Sequence, residues 1–248
     1  MERTAEKQGG HTSRFPAIQQ KRFCGYWTGI LPVFFFHSRG MLSSPHYLQE
    51  LPMAPKSPRL VWIDLEMTGL NPVQDTILEI ATIVTDNSLR VICEGPVLAV
   101  RQPEAVLQSM DDWNQRTHTG SGLLQRVRES RLDLSAVETQ TLDFLSTHVQ
   151  PGTSPMCGNS VCQDRRFLAQ HMPRLERFFH YRLIDVSSIK ELAARWYPQF
   201  PRYAKAERHE ALSDIRESIG ELLYYSRHLF RSPADLPVTA DSGSGFPG

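Results

Sequence analysis

Two carboxylates interrupt the apolar segment Leu60-Val-Trp-Ile-Asp-Leu-Glu-Met67. Its aliphatic and aromatic residues predict a buried strand, on which side chains two positions apart point to the same face. Asp64 and Glu66 therefore project side by side. Like charges this close repel each other and unpaired buried charges are costly, so a divalent metal ion between them is one interpretation. An edge strand with two solvated acids is the other, and this segment does not decide between them.

The overall charge of the chain excludes a broad basic surface. Among 248 residues, 27 Lys and Arg balance 27 Asp and Glu, so a nucleic-acid partner would have to be met by a local site. Four cysteines do not make a disulfide framework, which favours a reducing compartment and a cytoplasmic location. No apolar stretch reaches the ~18 residues that a membrane-spanning helix needs.

The chain divides into three parts by composition. Residues 1–57 show no sustained periodicity and predict an unstructured or artefactual N-terminal leader. Residues 58–231 carry regular patterns and form the predicted folded domain. Residues 232–248, rich in Pro, Asp, Ser and Gly, predict a disordered tail.

The leader contains one apolar run, at residues 26–36, that is only superficially similar to a signal sequence. The run begins late, contains Pro32 and is followed by no clear small-residue cleavage site. An organellar transit peptide and a translation start at Met41 or Met53 are the alternatives for this part of the chain.

The patterns of residues 58–231 predict an α/β domain with a mixed sheet flanked by helices. Three strands that can pair antiparallel come first, at residues 60–67, 76–86 and 90–100. Helices and strands then alternate, with helices at 134–149, 164–179, 189–196 and 210–230 and strands at 155–159 and 182–186. Ser187 is the predicted N-cap of the third of these helices.

Further acidic residues could complete a metal site. Hydrolysis of a phosphodiester by two divalent ions calls for roughly four carboxylates, since Mg²⁺ and Mn²⁺ prefer oxygen ligands. Asp164 lies near a predicted helix start, where interaction with the helix dipole is the alternative role. Asp214 lies on the last predicted helix, and spacing leaves Glu210 and Glu217 open as ligands instead of it.

His209 precedes Asp214 by five residues, about 140° around an ideal helix. The two side chains can converge if His209 lies in a loop before the helix, and the polar residues 205–208 could form such a loop. A histidine there could accept a proton near neutral pH. A surface histidine is the alternative.

The pattern Asp64-x-Glu66, Asp164 and His209-x(4)-Asp214 resembles that of the DEDDh exonucleases on the ribonuclease-H-like fold. Longer segments resemble the oligoribonuclease family, particularly its bacterial form, over about residues 59–230. These segments are Trp62-Ile-Asp-Leu-Glu-Met-Thr-Gly-Leu70, Met110-Asp-Asp-Trp-Asn114, Cys157-Gly-Asn-Ser-Val-Cys-Gln-Asp-Arg-Arg-Phe167 and His180-Tyr-Arg-Leu-Ile-Asp-Val-Ser-Ser-Ile-Lys-Glu-Leu192.

The resemblance implies a homodimeric 3′–5′ exoribonuclease that hydrolyses short oligoribonucleotides, down to dinucleotides, to nucleoside 5′-monophosphates. It implies that His209 is the general base and that two Mg²⁺ or Mn²⁺ ions are bound by the four carboxylates Asp64, Glu66, Asp164 and Asp214.

The resemblance also implies a set of substrate contacts. Leu70 would separate the two bases, and Trp113 would stack on one of them, an interaction worth ~1–3 kcal/mol. The other implied contacts are His118 and Ser160 near the nucleotide, Arg182, Ser187 and Lys190 at the 5′-phosphate, and Tyr181 from the second subunit. Core packing is the alternative for Leu70, as is solvated surface charge for Arg182 and Lys190.

Two other functions remain open at this stage. One is a deoxyribonuclease or proofreading exonuclease of the same fold, against which Trp113 and the Tyr181-Arg182 segment argue. The other is a non-catalytic oligonucleotide-binding module, which would be expected to lack a metal ligand. Cys157 and Cys162 are too few for a metal site of their own, and packing or a helix start explains them better.

Overall fold

The structure is a computed structural model that describes residues 59–204 and 210–231. The described strands are β1 (Arg59–Met67), β2 (Ile77–Asp86), β3 (Val91–Glu94), β4 (Leu98–Ala99), β5 (Met156–Gly158) and β6 (Leu183–Asp185). The described helices are α1 (Glu104–Gln108), α2 (Asp112–Gly120), α3 (Leu123–Glu129), α4 (Leu134–His148), α5 (Val161–His171), α6 (Pro173–Phe178), α7 (Val186–Trp196) and α8 (Ala211–His228).

The strands form one mixed sheet in the order β3-β2-β1-β5-β6, with β4 also pairing with β2. β2 is antiparallel to β1, β3 and β4, whereas β5 is parallel to both β1 and β6. Short connections join the antiparallel strands, and helices provide the crossovers between the parallel ones. The predicted α/β fold with a mixed sheet is confirmed.

Each face of the sheet is covered by its own hydrophobic core. Val61, Ile63 and Leu65 of β1 pack into the core shared with α4, α5 and α6, while Trp62 packs into the core shared with α7 and α8. Because side chains alternate along a strand, Asp64 and Glu66 lie on the face of Trp62 and α8. The alternation thus directs both acids toward the last helix.

Two predicted elements are each split by a proline. The predicted strand 90–100 is two strands, β3 and β4, on either side of Gly95-Pro96, because proline has no N–H to donate to a ladder. The predicted helix 164–179 is likewise two helices, α5 and α6. Met172 is non-helical, with φ −136° and ψ 62°, as expected for a residue before Pro173.

The predicted N-cap of α7 is wrong by two residues. The helix begins at Val186, and its N-cap is Asp185, whose carboxylate accepts a hydrogen bond from the backbone N–H of Ser187. Aspartate is among the best N-cap residues because its side chain satisfies a free backbone donor of the first turn.

Residues 104–129 form three short helices that the sequence patterns do not predict. α1 and α3, together with Met110 just before α2, pack their apolar residues with Leu78 of β2 in a separate hydrophobic cluster. Helices this short are held by tertiary packing and leave little periodicity in the sequence.

Several sequence-based predictions lie outside the described residues, namely the leader 1–57, the tail 232–248 and the loop 205–208. In the part of the chain that the structure describes, no helix is both long and apolar enough to cross a membrane.

Candidate active site

Three carboxylates converge between the sheet and the last helix. Asp64 and Glu66 come from β1 and Asp214 from the first turn of α8, and one oxygen of each lies within 4.8 Å of the others. Within residues 59–204 and 210–231, no other trio of His, Cys, Asp or Glu is so placed. The structure therefore brings together three of the four predicted metal ligands, and Glu210, Glu217, Cys157 and Cys162 belong to no such group.

Asp164 reaches the same end of β1 from the opposite layer. β5 pairs with β1 only at Val61 and Trp62, so the later part of β1 lacks a neighbour on that side. The backbone N–H of Leu65 donates instead to Asp164 Oδ1, at 2.9 Å. This bond anchors Asp164, a buried residue in the first turn of α5, beside the strand segment that carries Asp64 and Glu66.

The environment of Glu66 disfavours its negative charge. The pKa of Glu66 is raised to about 8, and burial is the largest cause. The neighbouring charges of Asp214, Glu79 and Asp164 contribute to this rise, whereas Arg126 opposes it. A divalent cation among these carboxylates would favour the charged form of Glu66.

The pKa of Asp164 is raised to about 7, mainly by burial and in part by the charge of Asp185, against the hydrogen bond from the Leu65 N–H. Carboxylate oxygens are the ligands that Mg²⁺ and Mn²⁺ prefer. The donor set and the raised pKa values of Glu66 and Asp164 therefore fit such ions.

A half-buried ion pair lies beside Glu66, and the sequence patterns do not predict it. Glu79 lies directly opposite Glu66 in the β1–β2 register and is buried. Arg126 of α3 binds both oxygens of Glu79, with Nε–Oε2 2.8 Å and Nη2–Oε1 3.1 Å. Arg126 also donates to the carbonyl of Ser121. An acid in the otherwise apolar run of β2 is the only sequence signal of this pair, because α3 itself is not predicted.

His118 lies against the carboxylates. It is buried on α2; its Nε2 donates to the carbonyl oxygen of Met67 at 3.0 Å, and its Nδ1 lies 3.9 Å from Glu66 Oε2. The predicted nucleotide contact is therefore placed within reach of a carboxylate of the acidic cluster.

Leu70 is exposed to 74% on the turn that follows β1, so the core-packing interpretation is wrong. Asp75 holds this turn by accepting hydrogen bonds from Thr68 Oγ1 at 3.2 Å and from the N–H of Asn71 at 2.9 Å. Gly69 allows the close approach, since a Cβ there would lie 2.5 Å from an Asp75 oxygen. The turn thus presents an apolar side chain to solvent beside the acidic cluster.

Two of the predicted contacts are exposed aromatic side chains. Trp113, in the first turn of α2, is exposed to 56%, and Tyr181, just before β6, to 71%. The Arg182 guanidinium carbon lies 5.5 Å from the centroid of the Tyr181 ring. Exposed rings of this kind suit stacking on a base or contact with another chain.

The predicted contacts Ser160, Ser187 and Lys190 lie near the start of α7. Asp185 accepts hydrogen bonds from both Ser160 and Ser187. The Lys190 ammonium lies 3.9 Å from a carboxylate oxygen of Glu221, which is buried on α8. Lys190 is therefore not a purely solvated charge. His209, the predicted general base, lies outside the described residues.

The chain is a nuclease of the exonuclease class, because a family model described as Exonuclease matches residues 61–222. Oligoribonuclease of Idiomarina loihiensis is 58% identical over 71% of the chain and 96% of its own length. The oligoribonucleases of Alcanivorax borkumensis and Thiobacillus denitrificans are 59% and 56% identical and are covered over 98% and 100% of their lengths. The chain belongs to the oligoribonuclease family.

More distant solved structures share the fold. Exonuclease I of Methylocaldum szegediense superposes with a TM-score of 0.54 at 18% identity, over 69% of this chain and 41% of that one. A complex of E. coli exonuclease I with single-stranded DNA gives 0.53 at 16% identity, over 70% and 41%. The chain spans about two fifths of the length of these proteins, and the likeness confirms the ribonuclease-H-like fold.

Proposed function

We propose that this chain is a metal-dependent 3′–5′ exoribonuclease that hydrolyses short oligoribonucleotides, down to dinucleotides, to nucleoside 5′-monophosphates. The observation that carries the proposal is the convergence of Asp64, Glu66 and Asp214 in a chain whose relatives, matched over nearly their whole length, are oligoribonucleases.

Asp64, Glu66, Asp164 and Asp214 would hold two Mg²⁺ or Mn²⁺ ions. When bound, the ions would stabilise the negative charge that develops on the phosphate and its leaving oxygen. His209 would accept the proton of the attacking water, since a histidine has its ordinary pKa near neutrality. Arg126 of α3, which pairs with Glu79 opposite Glu66, would favour the charged form of Glu66.

The substrate would lie along the exposed apolar groups beside the cluster. Leu70 would separate the two bases and Trp113 would stack on one, which is consistent with their exposure. His118 and Ser160 would contact the nucleotide nearest the metals. Arg182, Ser187 and Lys190 would bind the 5′-phosphate, to which cationic and helix N-terminal donors are suited.

A homodimer is part of the proposal. Tyr181 projects into solvent beside Arg182, as expected of a side chain that completes the site of a second subunit. The cytoplasmic location inferred from the cysteine count stays a prediction.

The direction of hydrolysis and its dependence on metal are tested with one RNA labelled at its 5′-end. A short RNA labelled at its 5′-end should shorten one nucleotide at a time and release nucleoside 5′-monophosphates in Mn²⁺, and EDTA should abolish the reaction. Immediate release of the 5′-label would contradict the proposed polarity, and cleavage in EDTA would exclude the metal mechanism. Faster hydrolysis of matched DNA would favour the deoxyribonuclease alternative.

A further inference from the structure

One carboxylate oxygen joins two separate parts of the proposed substrate site. Asp185 Oδ1 accepts three hydrogen bonds: from the N–H of Ser160 at 2.9 Å, from the N–H of Ser187 at 3.0 Å and from the Ser187 hydroxyl at 2.6 Å. Ser160 begins α5, the helix that carries Asp164, and Ser187 lies in the first turn of α7. The starts of the two helices are therefore tied through one atom.

The backbone of Ser160 needs such a tie. Ser160 has φ 52°, in the left-handed region that costs a non-glycine residue roughly 1 kcal/mol or more. It is also the N-cap of α5, and its own side chain makes no capping hydrogen bond. Its N–H is instead held by Asp185, which lies opposite Gly158 in the parallel pair of β5 and β6.

The tie does not depend on the Ser187 hydroxyl. Two of the three hydrogen bonds come from backbone N–H groups, so the hydroxyl can turn toward a phosphate while the starts of α5 and α7 stay connected. Bonds from backbone donors to a carboxylate are charge-assisted and among the stronger ones in proteins.

We propose that Asp185 is a positioning residue that fixes the spacing between Ser160, on the metal side of the site, and Ser187, at the 5′-phosphate, and thereby sets the preference for dinucleotides. The inference rests on the proposed function. A dinucleotide must satisfy both ends at once, whereas a longer RNA passes beyond Ser187 and does not place a terminal phosphate there. A loosened spacing should therefore weaken binding of the dinucleotide selectively.

Three substitutions in the full-length chain separate the effect of the position of the Asp185 acceptor oxygen from the effect of its charge. Asp185→Ala removes the acceptor, Asp185→Asn keeps an acceptor oxygen in place without the charge, and Asp185→Glu keeps the charge but moves the acceptor by one methylene. Asp133→Ala is the matched control, because Asp133 caps α4 by accepting from the N–H of Ala136 at 2.8 Å, away from the site.

The measurement is KM and kcat for a 5′-phosphorylated dinucleotide and for a pentanucleotide RNA. We expect Asp185→Ala and Asp185→Glu to raise KM for the dinucleotide about tenfold, a loss the size of one charge-assisted hydrogen bond, and to change KM for the pentanucleotide and both kcat values less than about threefold. Asp185→Asn should stay within about threefold of the wild type on both substrates, as should Asp133→Ala. If Asp185→Ala fails to fold, the Asn and Glu variants carry the comparison.

The inference is overturned if Asp185→Glu keeps the wild-type preference, if Asp185→Asn loses as much of it as Asp185→Glu, or if both substrates are affected equally. A wild-type enzyme that hydrolyses both RNAs without favouring the dinucleotide would also overturn the inference. A wild-type enzyme that hydrolyses neither RNA in Mn²⁺ would instead refute the proposed function, so the two failures give different results in the same experiment.

Discussion

Single residues of the acidic site differ in what they are expected to contribute. Asp214 belongs to the cluster of carboxylates with Asp64 and Glu66, whereas Glu217, one turn further along α8, does not. We expect Asp214→Ala to lower kcat by at least about 100-fold. Loss of a proposed metal ligand should lower kcat more than loss of a residue that only orients a ligand. Glu217→Ala is the matched control on the same helix and should keep nearly full turnover. The reverse pattern would show that the ligand on α8 is Glu217.

The raised pKa values of Glu66 and Asp164 predict how pH affects stability without metal. Burial, the main cause, makes both groups hold their protons in the folded protein at pH values where the unfolded chain has released them. The folded state then binds more protons, so the free energy of unfolding should fall as pH rises from about 5 to about 8. Thermal unfolding in EDTA measures this slope.

Addition of Mn²⁺ should reverse that effect. The ion competes with the protons, so the rise in Tm on adding Mn²⁺ should be larger at about pH 8 than at about pH 6. Glu66→Gln is the control and should weaken both dependences, with the contribution of Asp164 remaining. A metal-free protein that becomes more stable through this pH range would contradict the charge balance described for the site.

The sequence predicts the position of a site residue when its partner is close along the chain. The i, i+2 spacing places Asp64 and Glu66 on one face without knowledge of the rest of the chain. The Glu79–Arg126 pair is not predictable in this way, because it joins residues 47 positions apart through a helix with no clear periodicity. The role of Asp185 is hidden for the same reason, since Ser160 is 25 positions away.

At the scale of elements, unequal strand lengths create the site. β1 continues beyond β5, and the free edge that results is where the first turn of α5 enters with Asp164. Sequence patterns locate both strands to within a residue or two, but a strand's register with its neighbour depends on contacts across the fold. Prolines that split a predicted element show the same limit, because periodicity continues across Pro173 while the backbone does not.

The junction of α4 and α6 depends on one buried acid. Glu138 accepts hydrogen bonds from the N–H groups of Arg174 and Leu175, at 2.7 and 3.0 Å, and from Arg174 Nε at 2.8 Å. Glu138→Ala would leave the first turn of α6 uncapped, so we expect it to lower the free energy of unfolding by about 2 kcal/mol in urea titrations. Exposed Glu129→Ala should change it by less than about 0.5 kcal/mol. Equal stability of the two variants would contradict this account of the junction.

For the whole molecule, the fold and family indicate that one domain carries the activity. The relatives are matched over nearly their whole length within 69–73% of this chain. We therefore expect a fragment of residues 58–231 to keep kcat/KM within about twofold of the full-length chain and to unfold at a similar temperature. The full-length chain assayed in parallel is the control. An inactive but folded fragment would show that residues outside the domain contribute to the site.

The central claim is that this chain hydrolyses dinucleotides in preference to long RNA. The most direct test is the ratio of kcat/KM for a 5′-phosphorylated dinucleotide to that for an RNA of roughly 20 nucleotides, measured in Mn²⁺. The account predicts a ratio of at least about ten, because both ends of the dinucleotide are bound at once. A ratio below one would contradict it and would indicate an exonuclease for long strands.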